Sequence, residues 1–151
     1  MRPPLVKYET IEEYKEHFIR KYCKNPITTF DGYLVKFYHD MFEHAFFESS
    51  DRRGCKDVFS KKRSERIDWI EDVLKDSSAE LYMGFDNIKK RNDNNRRVAI
   101  INEDNYVVII QIIRGINAKF ITAYVADSPN TANQIRNNPK WIKNRPLILV
   151  Q

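Results

Sequence analysis

The hydrophobic period of the sequence changes near residue 76, and this change limits the folds that the chain can adopt. Before residue 76 the apolar residues recur every three or four positions, which predicts amphipathic helices. After it, runs of β-branched and aromatic residues are separated by short polar turns, which predicts consecutive strands. Helices followed by such strands indicate an α+β fold, with N-terminal helices packed on one face of an antiparallel sheet of roughly four strands. No linker or internal repeat interrupts residues 1–151, so we expect a single domain.

Three helices are predicted in the first half of the chain. The first covers about residues 9–23 and the second about 31–48. The third covers about residues 62–74, and in all three the apolar side chains have helical spacing.

The second half of the chain is predicted to form a series of strands. We expect strands at 80–85, 97–102, 106–114 and 119–126, polar loops at 49–61 and 86–96, a short helix near 131–137 and an edge strand at 146–150. Tyr106–Arg114 and Lys119–Ala126 should be adjacent antiparallel strands, because the turn at Gly115 is too short for a crossover helix.

The composition excludes several classes of protein. The longest uninterrupted apolar run, Tyr106–Ile110, is far shorter than the ~20 residues of a membrane-spanning helix. The N-terminus has no apolar segment of the signal-peptide type, so we expect a cytoplasmic protein, or a module delivered into the cytoplasm of a target cell. Cys23 and Cys55 indicate two reduced thiols rather than a disulfide scaffold. The sequence has no metal-ligand motif and no glycine-rich phosphate loop, so we expect no metal and no cofactor.

Basic residues are concentrated in three segments of a chain with 26 Lys and Arg against 21 Asp and Glu. The segment 52–66 includes Arg52 and Arg53, and the other two segments are 89–97 and 136–145. If these segments converge on one surface, they can neutralise the phosphates of a nucleic acid. They are equally compatible with solvated loops whose charge keeps the protein in solution.

Candidate catalytic side chains lie on the second and third predicted helices. His39 and His44 flank the apolar arc of the second helix, where a half-exposed imidazole can transfer protons. Each histidine could instead simply bridge the core and the solvent. Lys62 and Arg66 share one face of the third helix beside Arg63, and outward-facing cations of this kind bind phosphate. The alternative for Arg66 is an ion pair with a surface carboxylate.

The strand at 119–125 alternates in a way that suggests a binding surface. Phe120, Thr122 and Tyr124 should project from one face, while the alternate residues are all apolar and should pack against the helices. Gln111 interrupts the neighbouring apolar strand and could point the same way. Aromatic and hydroxyl groups on an open sheet, surrounded by cations, suit stacked single-stranded bases and a phosphate. Ordinary β-propensity explains the Thr and Tyr equally well.

Several short motifs together resemble the phage-associated branch of the barnase–EndoU–colicin–RelE superfamily of metal-independent ribonucleases and toxins. The similarity covers about residues 31–126, and its strongest parts are Arg-Ile-Asp-Trp-Ile at 66–70 and Phe-Ile-Thr-Ala-Tyr at 120–124. The resemblance implies helices followed by an antiparallel sheet that binds RNA on its exposed face. It also implies an active site made of a helical histidine, a cation and a hydroxyl pair on a late strand, here His44 or His39, Arg66, Thr122 and Tyr124.

The leading hypothesis from the sequence is therefore a metal-independent endoribonuclease, toxin-like or phage-derived. The ribose 2′-OH would attack the adjacent phosphate and leave a 2′,3′-cyclic phosphate. The RNA, single-stranded or tRNA-like, would contact the residues predicted to bind substrate, namely Arg52, Arg53, Lys62, Arg63, Gln111 and Phe120. A toxin of this kind implies an acidic immunity protein or antitoxin that covers the basic surface.

Two alternatives remain open at this stage. The chain could bind RNA or another nucleic acid without cleaving it, or it could be a phage or mobile-element protein that binds other proteins after losing the activity. Convergence of the predicted histidine, Arg66, Thr122 and Tyr124 on one phosphate-sized position favours the enzyme. Their dispersal favours the non-catalytic binding module.

Overall fold

Most of the hydrophobic residues lie between one large sheet and the helices that precede it. The computed structural model describes residues 2–49, 56–86 and 88–143. The helices are α1 (Ile11–Phe18), α2 (Met41–Phe46), α3 (Lys61–Glu65), α4 (Trp69–Leu74) and α5 (Pro129–Arg136). The strands are β1 (Ile27–Thr28), β2 (Leu34–Lys36), β3 (Phe47–Ser49), β4 (Lys56–Phe59), β5 (Glu80–Asp86), β6 (Arg91–Ile100), β7 (Tyr106–Arg114) and β8 (Asn117–Val125). The predicted α+β class is confirmed.

The large sheet has six strands in the order β1-β2-β8-β7-β6-β5. Strands β5 to β8 form an antiparallel meander, and β2 adds to the other side of β8 in parallel. The predicted antiparallel pairing across Gly115 is confirmed, with Val108 opposite Ala123. The sheet has six strands rather than the predicted four, because the N-terminal half of the chain adds β1 and β2 to it. Strands β3 and β4 form a separate two-stranded ribbon.

The prediction of a helix over residues 31–48 is wrong for the first half of that range. Leu34–Lys36 is strand β2, which pairs with Asn117–Lys119, and helix α2 begins only at Met41. Gly32 precedes the strand with a φ of 94°, a conformation that disfavours side chains with a Cβ. Parallel pairing with β8 supplies hydrogen bonds that the isolated segment cannot supply, so the distant strand overrides the helical spacing.

Other predicted boundaries also change. The third predicted helix is interrupted at residues 66–68, so that α3 and α4 are separate. The predicted loop at 86–96 is largely the beginning of β6, paired with β5. Helix α1 continues through Ile19–Cys23 with π-type hydrogen bonding. The predicted edge strand at 146–150 lies outside the described residues.

Both faces of the sheet carry helices, although the sequence predicts helices on one face only. The first face packs against α1, α2 and α4 through a large aromatic core. The second face carries a smaller cluster in which Ala132 and Ile135 of α5 cover Val98, Val107 and Ile109. Helix α5 therefore covers one part of the second face and leaves the rest of it accessible.

A bulge in β8 changes the predicted orientation of Phe120. Ile109 lies opposite Thr122, but Ile110 lies opposite Phe120, so Ile121 is an extra residue in the strand. Thr122 and Tyr124 consequently face away from the N-terminal helices, as predicted, whereas Phe120 faces those helices. Phe120 is fully buried and stacks on Phe37 at 4.8 Å between ring centroids. The predicted contact of Phe120 with RNA is therefore wrong.

No helix of the described segments is long and apolar enough to cross a membrane.

Candidate nucleic-acid interface

The uncovered part of the second sheet face forms a groove that we call the basic groove. It has a volume of about 350 Å³ and is lined by side chains of four consecutive strands and the turn after β5, namely Phe85, Asp86, Ile88, Arg96, Gln111, Lys119 and Ile121. Gln111 lies opposite Arg96 on one side and Lys119 on the other. The antiparallel register thus places two cations and an amide in one row across the sheet.

Arg96 reaches this row by passing over Gly84. A Cβ at position 84 would lie 2.6 Å from Cγ of Arg96, which is closer than real side chains allow. Arg96 and Lys119 form no ion pair with any residue that the structure describes, although Asp86 lies at the rim and is electrostatically coupled to Arg96. These cations are therefore less neutralised than those that hold a carboxylate within 4 Å.

A second depression adjoins the basic groove and shares Phe85 with it. This amide pocket has a volume of about 480 Å³, and its remaining lining residues are Tyr124, Thr131, Gln134, Ile135, Asn137 and Asn138. Phe85 is 48% exposed, so its ring is available for stacking. Carboxamide groups can both donate to and accept from base edges, as recognition of single-stranded nucleic acid requires.

Arg63 closes one end of this surface. Its guanidinium lies 5.5 Å from the ring centroid of Tyr124 and donates a hydrogen bond of 3.1 Å to the carbonyl of Ala45 in α2. Burial raises the pKa of the Tyr124 phenol, so that it keeps its proton at neutral pH. Burial also lowers the pKa of Arg63, yet a guanidinium remains charged in proteins. The pair combines a fixed cation with a neutral proton donor.

The structure divides the predicted site residues among several places. Gln111 lines the groove and Tyr124 lines the adjoining pocket, and Arg63 lies against the ring of Tyr124. Thr122 faces the same side but is only 9% exposed. His44 lies exposed on α2, next to the residue whose carbonyl binds Arg63.

The remaining predicted residues lie elsewhere. His39 precedes α2 and lines a different cavity with Cys23 and Lys36. Lys62 and Arg66 line a cleft beside α5 that contains neither Tyr124 nor Thr122. Arg52 and Arg53 lie outside the described residues.

Sequence reasoning missed Arg96, Lys119 and Phe85 as members of the surface. The signal for Arg96 was present, because it belongs to the second basic segment, and Gly84 marks a close approach between strands. Arg97, its neighbour in the same segment, turns the other way and is buried against Asp31 at 3.0 Å. Which of two adjacent arginines reaches the solvent depends on the register of β6.

Among the described residues, no group of three or more His, Cys, Asp or Glu side chains is arranged to hold a metal ion. Comparison with models of protein families, with characterised proteins and with solved structures found no significant match for the chain. The resemblance to the ribonuclease superfamily therefore stays a prediction, and the functional argument depends on the geometry of the surface.

Proposed function

We propose that this protein binds single-stranded RNA along the basic groove and the amide pocket. The observation that carries the proposal is the row of Arg96, Gln111 and Lys119 beside the exposed ring of Phe85 and the half-buried ring of Tyr124. Unpaired cations attract the phosphate backbone, and the release of counterions from the RNA favours binding. Phe85 and Tyr124 offer ring surfaces on which bases can stack, at about 1–3 kcal/mol for each base.

The shape of the surface favours a single strand over a duplex. The bases must contact rings that lie within a sheet face flanked by α5, and only unpaired bases expose their faces for such stacking. The carboxamides of Gln134 and Asn138 lie where the edge of a stacked base could be recognised.

The experiment is a titration of a fluorescently labelled, unstructured RNA oligonucleotide, followed by anisotropy. Arg96→Gln, Lys119→Gln and Phe85→Ala should each weaken binding by about five- to tenfold, as expected for the loss of one charge contact or one stacked base. Lys15→Gln is the matched control, because Lys15 on helix α1 is a partly exposed cation that pairs with Glu43 of α2. Equal affinities for wild type and all three groove variants would refute the proposal.

The pair of Arg63 and Tyr124 favours cleavage of RNA as a second candidate function. In that reaction the 2′-oxygen forms a bond to phosphorus, the bond from phosphorus to the 5′-oxygen breaks, and the leaving oxygen takes up a proton. Tyr124 holds the proton that this step needs, and Arg63 is placed to stabilise the charge of the phosphorane. His44, on the neighbouring helix, would accept the 2′-proton. The dispersal of Arg66 and His39 away from Tyr124 supports binding as the first candidate.

The substitution Tyr124→Phe distinguishes cleavage from binding, because it removes the hydroxyl and keeps the ring. If the protein cleaves RNA, this variant should bind RNA normally and lose at least about 100-fold in rate, the usual contribution of a general acid. Cleavage should persist in EDTA, produce a 2′,3′-cyclic phosphate, fail on DNA, and be lost in His44→Ala. An unchanged rate in both Tyr124→Phe and His44→Ala would refute this site, and no cleavage by the wild type would leave binding alone.

A further inference from the structure

We propose that the cleft between α3 and α5 binds a phosphomonoester, the terminal phosphate of a nucleotide. This α3–α5 cleft has a volume of about 490 Å³, within the range of about 300–1,000 Å³ typical of small-molecule sites. Three cations, Lys62, Arg66 and Arg136, line it. The site is additional to the RNA-binding surface proposed above and does not depend on it.

The cleft and the amide pocket lie on opposite sides of α5. Pro129, Ala132, Asn133 and Arg136 line the cleft, whereas Thr131 and Gln134 line the amide pocket. At about 100° per residue these two sets point in opposite directions from the helix axis. A ligand in the cleft therefore contacts a different surface of the helix from a ligand in the amide pocket.

The cations of the cleft are paired with carboxylates that an anion can replace. Lys62 contacts Asp127 at 2.9 Å, with the two side chains 53% and 66% exposed. Arg66 contacts Asp104 at 3.0 Å, and Asp104 is also half exposed. The exposed Lys62–Asp127 pair contributes little to stability, so a dianion can take the place of the Asp127 carboxylate at small cost.

Arg66 is held in position before any ligand arrives. It donates a hydrogen bond of 2.9 Å to the carbonyl of Lys62, and its guanidinium lies 5.3 Å from the ring centroid of Trp69. Its Nε is buried and has no hydrogen-bond partner among the described residues. Opposite it, Arg136 donates to the carboxamide of Asn105 at 3.1 Å. The cleft thus presents the fixed guanidinium of Arg66 near a second arginine.

The rest of the lining fits the remainder of a nucleotide. Val125, Ala126 and Ala132 supply an apolar wall against which a base or sugar can lie, and Asn133 adds a carboxamide. The phosphate can belong to a free mononucleotide or to the end of an RNA strand. Both sources share the chemistry of a tetrahedral dianion attached to a flat, partly apolar group.

The test is an NMR titration of the wild-type protein with adenosine 5′-monophosphate, following backbone amide shifts. We expect saturable shifts at Asp104, Asn105 and Asp127, with a Kd on the order of 1 mM or tighter. Binding should strengthen as the pH rises through about 6, where a phosphomonoester gains its second charge.

Two substitutions of exposed residues in the cleft test the site, and a third substitution outside the cleft is the control. Lys62→Gln should weaken binding about tenfold, whereas Asp127→Asn should strengthen it about fivefold by removing the competing carboxylate. A merely structural role of the Lys62–Asp127 pair would make both substitutions act in the same direction. Lys15→Gln is again the matched control and should change nothing.

A second titration separates the two sources of the phosphate. RNA oligonucleotides that carry a 5′-phosphate or a 5′-hydroxyl are compared for shifts at the same three amides. Shifts with the phosphorylated strand alone indicate an RNA end, and shifts with adenosine 5′-monophosphate alone indicate a free nucleotide. The absence of saturable shifts with both about 10 mM adenosine 5′-monophosphate and the 5′-phosphorylated strand overturns the proposal, and so does an affinity that Asp127→Asn does not raise. Neither result bears on RNA binding to the basic groove.

Discussion

At the scale of single residues, position 84 determines where one of the cations of the basic groove lies. Arg96 crosses Gly84 so closely that an added Cβ would meet its Cγ at 2.6 Å. Gly84→Ala should therefore force the Arg96 side chain to move and weaken RNA binding several-fold, measured by anisotropy. In an Arg96→Gln background the same substitution should cause no further loss. A full additional loss in that background would show that Gly84 acts through the backbone instead.

The buried hydroxyl of Thr122 is a second feature at the scale of single residues. It is buried and has no hydrogen-bond partner among the described residues. A buried unpartnered hydroxyl costs free energy, so Thr122→Val should raise the free energy of unfolding by about 1 kcal/mol in urea titrations.

Thr29 offers a matched control for this substitution. Thr29 is also buried, but its hydroxyl donates to Asp31 at 2.6 Å and accepts from the amide of Tyr33. Thr29→Val should lower the free energy of unfolding by about 1–2 kcal/mol. A loss of stability in Thr122→Val as well would mean that its hydroxyl has a partner in solution.

At the scale of elements, Asp68 joins α4 to α1. Its carboxylate contacts Nε2 of His17 at 2.8 Å and Nζ of Lys21 at 2.9 Å. Burial alone would raise the pKa of Asp68, but the hydrogen bonds from Lys21 and His17 outweigh it and lower the pKa below its ordinary 3.8. A carboxyl with a lowered pKa stabilises the folded state above the pKa of the unfolded chain.

Asp68→Asn should therefore cost about 1–2 kcal/mol at pH 7, measured by urea unfolding. The difference between wild type and variant should shrink as the pH falls below about 4, where the carboxyl of the unfolded chain becomes protonated. Asp127→Asn, which breaks a pair with both partners exposed, serves as the control and should cost less than about 1 kcal/mol. A constant difference from pH 7 to pH 2 would contradict the assignment to ionised Asp68.

At the scale of the whole molecule, the net charge of +5 is less informative than the distribution of unpaired cations. Arg63, Arg96 and Lys119 hold no carboxylate within ion-pair distance in the described part of the chain, and all three border the second sheet face. For single-stranded RNA, each phosphate contact contributes about −0.7 to the slope of log affinity against log salt concentration. Three contacts should give a slope of about −2.

Arg96→Gln should reduce the magnitude of that slope by about 0.7, whereas Lys15→Gln should leave it unchanged. Anisotropy titrations between about 50 and 200 mM salt measure both values. A slope near zero for the wild type would mean that the groove does not contact the RNA backbone.

Several features could be predicted from the sequence because local interactions decide them. Thr10 and Glu13 are three residues apart, which is the spacing of a capping box, and both reciprocal hydrogen bonds of the box are present at the start of α1. Strand β7 has its predicted limits, and its antiparallel pairing with β8 follows because the turn between them is too short for a crossover helix. The sequence left open whether Gln111 shares a face with Tyr124, and the register of β7 and β8 places both on the second sheet face.

Tertiary structure alone decided the features that depend on distant partners. Residues 34–36 satisfy a helical spacing equally well, and only the parallel edge of β8 selects the strand. One extra residue in β8 moves Phe120 from the second sheet face into the core, which no local pattern encodes. The register of β6 buries Arg97 against Asp31 and directs Arg96 to the groove. Side chains adjacent in sequence point to opposite sides of a strand, so it is the neighbouring strands and helices that determine which of them can meet a ligand.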